Sequence, residues 1–132
     1  MPARRRSPEF SEQCALFLWA RNPATLRKYP ELRLLSCSLN GVKLSKAQAG
    51  KAKAAGMLAG EHDVRLPVAR GTYTSLSIEM KAGDNQPTKA QLEYGALLEA
   101  EGGCVRYCWS WIEAKEAIEH YLGLGKPEFL RP

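Results

Sequence analysis

The chain is poor in the residues from which most metal and redox centres are built. It has two histidines and four cysteines. Cys14, Cys37, Cys104 and Cys108 form no CxxC pair and have no histidine at ligand spacing, which excludes the usual zinc motifs. Buried, reduced thiols are the expectation for them. No apolar run is long enough to cross a bilayer, and the Arg-rich start is not followed by the apolar stretch and small-residue cleavage site of a signal peptide. The expected location is the cytoplasm, with no membrane partner. A phosphate-cradling P-loop, a dinucleotide-binding glycine motif and a nucleophile elbow are all missing, which removes the commonest nucleotide-dependent and serine-hydrolase chemistries. Internal repeats and low-complexity segments are missing too.

What is present is the composition of one soluble globular domain: 132 residues, 45% hydrophobic and 25% charged. The expected organisation is a single domain over 1–132, with a flexible basic arm at 1–7 and an irregular tail at 123–132. A net charge of +5 favours polyanionic partners, nucleic acid first among them. Arg4-Arg5-Arg6 could touch phosphates or be a solvated terminus.

Apolar spacing predicts a helix from Pro8 to Arg21, with Ser7 as N-cap, ending before Asn22-Pro23. Asn22 to Pro30, with two prolines, reads as a loop, and Leu32 to Cys37 as a short strand leading to an Asn40-Gly41 turn. Ser45 to Gly56 is rich in Ala, Lys and Gln and reads as a basic helix. Two period-two segments, His62 to Val68 and Tyr73 to Lys81, predict a hairpin around Arg70-Gly71. Thr88-Lys89-Ala90-Gln91 is a capping box opening a helix to Glu101, which Gly102-Gly103 closes. A strand from Cys104 to Trp109 and a helix of about Ile112 to Leu122 follow, the latter with Ile112, Ala117, Ile118 and Tyr121 inward.

In the strand ending at Lys81, alternation sends Leu76, Ile78 and Met80 to one face and Ser77, Glu79 and Lys81 to the other. Asp63 opens the preceding strand, and antiparallel pairing would bring it beside Glu79, although the register cannot be read from sequence. Two hard carboxylates and an ammonium suit phosphodiester hydrolysis: the carboxylates can hold Mg²⁺ while it keeps waters and reaches a phosphate. Lys81 could orient or deprotonate the attacking water, or stabilise negative charge on the phosphorane. Alone, E-x-K is as compatible with an exposed ion pair on an edge strand.

The ordered set is more specific. Asn40-Gly41 before the Ala/Lys-rich helix, Gly56 to Asp63 ending in G-x-x-D, Ile78-Glu79-Met80-Lys81, Gln91 behind the Thr88 cap and Gly102-Gly103 before the last strand together resemble the stand-alone VRR-NUC nucleases of the PD-(D/E)xK superfamily. His62 departs from that pattern, which commonly has proline there, and is expected to be solvent-exposed or satisfied in the core.

The resemblance implies an α/β, restriction-endonuclease-like mixed sheet of about four strands flanked by helices. It also implies Mg²⁺- or Mn²⁺-dependent DNA cleavage in a bacterial or phage-infected cell, with four-way (Holliday) junctions as substrate and a homodimer as the acting unit. Asp63, Glu79 and the Met80 carbonyl would be the metal ligands, Lys81 the catalytic lysine, and Gln91 and Glu12 further site residues. For Gln91 the alternative is a purely capping role, and for Glu12 a favourable charge at a helix N-terminus. Lys43, Lys46, Lys51 and Lys53 could neutralise phosphates or form a solvated face. Trp19, Trp109 and Trp111 are expected in the core or at an interface, and Tyr121 is a further interface candidate. A flap- or single-strand-directed nuclease, or a silent DNA-binding protein of the same fold, are the rival readings.

Overall fold

The computed structural model describes residues 8–38 and 44–132. The basic arm, the Ser7 cap, the Asn40-Gly41 turn and Lys43 lie outside these residues. The helices are α1 (Pro8–Ala20), α2 (Pro23–Lys28), α3 (Lys46–Ala54), α4 (Lys89–Ala100) and α5 (Trp111–Gly123). The strands are β1 (Ser36–Cys37), β2 (Val64–Leu66), β3 (Leu76–Met80) and β4 (Cys104–Cys108). They form one mixed sheet in the order β1-β2-β3-β4, antiparallel except for the parallel pair β3-β4. The α/β expectation and the hairpin hold.

The two faces of β3 explain the layering. Leu76, Ile78 and Met80 join Val64, Leu66, Cys104 and Cys108 in the main core, together with Leu16 and Ala20 of α1 and Ala114, Ile118, Tyr121 and Leu122 of α5. The opposite face, which bears Ser77 and Glu79, is partly covered by α4. Gly95 makes that approach possible: a Cβ there would stand 2.5 Å from Tyr107 Oη and 3.3 Å from Val105 Cγ1. Parallel pairing of β3 with β4 requires a crossover, and α4 supplies it.

Five local expectations are corrected. Asn22 to Pro30 is not a loop: the Asn22 side chain accepts from Ala24 N–H at 2.9 Å and caps α2, while Pro23 occupies a first-turn position that needs no N–H. The first half of the expected strand from Leu32 to Cys37 is instead part of a 3₁₀ turn, Pro30–Leu34, and only Ser36–Cys37 is strand. Leu32 and Leu35, three apart, are both buried, and the Arg21 guanidinium donates to their two carbonyls. Ile112 points outward, 52% exposed, because Ala114 and Ile118 set the inward stripe of α5. Tyr121 is core, with its hydroxyl donating to the Val68 carbonyl at 2.6 Å, and offers nothing to an interface. Of the cysteines, Cys104 and Cys108 are buried as expected, whereas Cys37 is exposed.

Candidate active site

The hairpin register sets the site. Val64 pairs with Ile78 and Arg65 with Ser77, so extending the ladder by one residue puts Asp63 opposite Glu79. The Asp63 carbonyl accepts from Ser38 N–H at 2.8 Å, continuing the β1 ladder, and its carboxylate Oδ2 accepts from Met80 N–H at 2.8 Å. Those bonds hold Asp63 from both sides. Glu79 pairs with Tyr107 of β4, and Lys81 N–H donates to the Cys108 carbonyl at 2.7 Å, so β3 is fixed through Lys81.

The edge-strand ion pair is thereby excluded. β3 is interior to the sheet, and Glu79 and Lys81 are 2% and 6% exposed. Among the described residues the ion pairs are Arg70–Glu31 and Lys89–Glu93, neither involving this pair. Glu79 Oε2 is buried with no hydrogen-bond partner. Burial is the main reason its carboxyl is pushed up to about 9; a hydrogen bond to Asp63 that keeps the proton and the Asp63 charge add to this, while Lys81 and the Asp63 N–H oppose it.

A hard divalent cation fits this donor set. A buried carboxylate with an unpartnered oxygen, set beside a second, half-buried one, is relieved either by a shared proton or by a cation that replaces it. No group of three or more His, Cys, Asp or Glu side chains forms a metal cage among the described residues. Two carboxylates and a main-chain carbonyl are instead the sparse oxygen set of an ion that retains its waters.

The other expected residues are less central. Gln91 Oε1 accepts from Thr88 N–H at 2.9 Å while Thr88 Oγ1 accepts from Gln91 N–H at 3.1 Å, so the side chain is engaged in the capping box. Glu12 Oε2 accepts from Trp111 N–H at 2.7 Å, so its carboxylate is engaged at the first turn of α5. Lys46, Lys51 and Lys53 are exposed on α3, a helix with no buried residue. Trp19 and Trp111 pack against the core, and Trp109 donates through Nε1 to the Asn85 carbonyl at 3.0 Å. That contact ties the loop after Lys81 to the end of β4.

The sequence assigns no role at the site to His62 or to Ser77, although alternation places Ser77 on the face of Glu79. The His62 ring is buried, with Nδ1 2.9 Å from Ser77 Oγ and Nε2 2.9 Å from the Gln91 carbonyl. Of its two expected placements, the satisfied core position is the one observed. Burial holds its pKa below the usual value, with Lys81 acting the same way against the Gln91 carbonyl and Asp63. Only the two polar residues flanking Asp63 and Glu79 in sequence could have signalled this contact.

A mixed sheet carrying helices on both faces, with a buried Glu79 beside a half-buried Asp63 where β2 meets β3, is a restriction-endonuclease-like α/β domain. No protein-family model and no curated protein matches the chain. A solved structure described as a VRR_NUC domain protein matches it with a TM-score of 0.75 and 27% identity, covering 93% of this chain and 94% of that one. The resemblance read from the sequence thus holds in three dimensions over nearly the whole length. The chain is a nuclease-type domain with the VRR-NUC fold.

Proposed function

We propose that the domain is a Mg²⁺- or Mn²⁺-dependent endodeoxyribonuclease of the PD-(D/E)xK type. The observation that carries this reading is the cross-strand placement of Asp63 opposite Glu79, both held by main-chain ladders, with Lys81 on the same face. Asp63, Glu79 and the Met80 carbonyl would hold the cation. When bound, the ion supplies Lewis acidity and a water of lowered pKa. Asp63 keeps its orientation through the Met80 N–H, so the donors need not reorganise as substrate arrives. Lys81, anchored at its main chain, places an ammonium beside the reacting phosphate, where it either orients the water or offsets the growing negative charge.

The preferred substrate in this reading is branched DNA, a four-way junction, cut by a homodimer. Each chain has one such site, and a two-fold dimer presents two equivalent sites to the two equivalent strands of a junction. DNA binding draws on the overall positive charge and on the exposed lysines Lys46, Lys51 and Lys53. The cytoplasm is the compartment this reading assigns.

The test is incubation of purified protein with labelled duplex, flap and four-way junction in Mg²⁺, Mn²⁺ or EDTA, together with light scattering. Paired nicks in the junction that require metal, from a particle of twice 14.6 kDa, are expected. Undiminished cleavage in EDTA refutes the metal mechanism. A monomeric mass with cutting confined to flaps or single strands refutes junction resolution.

A further inference from the structure

Three segments that carry the candidate site meet on one imidazole. His62 directly precedes Asp63; its Nδ1 is bonded to Ser77, two residues before Glu79 on the same face of β3; its Nε2 is bonded to the Gln91 main chain at the start of α4. The Gln91 carbonyl can only accept, so Nε2 carries a proton and donates to it, while Nδ1 and the Ser77 hydroxyl share the second bond. Tyr94 and Tyr107 meet the ring edge-on, with centroids 4.9 Å and 5.3 Å away. Gly95 leaves room for it: a Cβ at that position would lie 3.2 Å from His62 Cε1. Every side of the ring is therefore engaged.

A buried apolar residue would fill this space without directional bonds. The imidazole instead fixes the distance between β3 and α4 and, through its own backbone, the point from which Asp63 projects. Resting on the nuclease reading above, we propose that His62 is a positioning residue: it sets the separation of the Asp63 and Glu79 carboxylates, and so the affinity of the site for its divalent cation, without touching metal or substrate.

Partners that orient metal ligands typically change metal affinity or activity by about 10–100-fold when removed. His62→Phe keeps a planar aromatic ring, somewhat larger than the imidazole, against the two tyrosines but loses both hydrogen bonds, and His62→Gln retains a donor for the Gln91 carbonyl. The measurements are Mn²⁺ affinity by titration calorimetry, and kcat and KM for DNA cleavage at saturating Mn²⁺. His62→Phe should bind Mn²⁺ at least about tenfold more weakly and lose kcat with KM for DNA unchanged, and His62→Gln should recover most of both. Wild-type Mn²⁺ affinity and kcat in folded His62→Phe, or no recovery in His62→Gln, overturn the proposal whatever the melting temperatures. If His62→Phe does not fold, Ser77→Ala substitutes for it, and unchanged Mn²⁺ affinity there is equally decisive against. A wild-type protein that binds Mn²⁺ but cuts no DNA refutes the nuclease reading alone, and the calorimetry still decides the role of His62. A wild-type protein that binds no Mn²⁺ refutes both.

Discussion

Substituting Glu79 by glutamine should make the metal-free protein more stable at neutral and alkaline pH while destroying its response to metal. The folded protein keeps the Glu79 proton up to about pH 9, whereas an unfolded glutamate releases it near 4.5. Between those values the native state carries the additional proton, so metal-free stability falls as pH rises, by up to about 1.4 kcal/mol per pH unit. From pH 6 to pH 8 the wild type should lose about 3 kcal/mol that Glu79→Gln does not lose, because the amide stays neutral throughout. At roughly 3–5 °C per kcal/mol for a domain of this size, the two melting temperatures should diverge by on the order of 10 °C. Thermal unfolding followed by circular dichroism in EDTA at pH 6, 7 and 8 reads this directly, and taking the difference between the two proteins cancels the titration of other groups. Repeating the series with excess Mn²⁺ should restore the wild type at pH 8, since a ligand bound only by the native state stabilises it, and should leave Glu79→Gln nearly unmoved. Parallel melting curves for the two proteins in EDTA would refute the account of a proton held on the buried Glu79 against the neighbouring Asp63 carboxylate.

Three further outcomes follow from the same geometry. Asp63→Ala removes both a proposed ligand and the acceptor of the Met80 N–H, so a gel assay should show no cleavage while filter binding shows DNA affinity retained, because that affinity rests on basic residues. Lys81→Ala should lose most turnover in single-turnover kinetics but still bind Mn²⁺ by calorimetry; normal turnover would remove the lysine from the mechanism. Gly95→Ala should destabilise the protein by roughly 1–3 kcal/mol in urea unfolding, as its methyl group would meet Tyr107 Oη at 2.5 Å on a face with little room to yield.

The catalytic strand was legible because period-two alternation in Ser77, Glu79 and Lys81 against Leu76, Ile78 and Met80 is local information, and both faces pack as that pattern implies. The capping box at Thr88 and Gln91 was legible for the same reason. Register was not: that Asp63 stands opposite Glu79 is decided by pairing between segments sixteen residues apart in number, which alternation alone leaves open. The segment from Asn22 to Leu35 departs from the sequence expectation because proline breaks a helix only in its interior. Pro23 and Pro30 instead each open a short helical piece, where a missing N–H costs nothing. His62 was undecided because its partners lie 15 and 29 residues away, one of them a main-chain carbonyl that no side-chain pattern encodes.

Helix α3 contributes no residue to the interior, and its start is secured by its own Ser45–Gln48 capping box. Its sequence is therefore released from the shape constraints that bind α1, α4 and α5. Exchanging a residue on it alters little beyond intrinsic helix preference, a few tenths of a kcal/mol at most positions. Charge on this helix can be gained, lost or redistributed over evolutionary time without disturbing the carboxylate pair. The basic character of the surface and the chemistry of the cleft can thus drift independently, one tuned to whichever polyanion the cell presents and the other held fixed by the sheet.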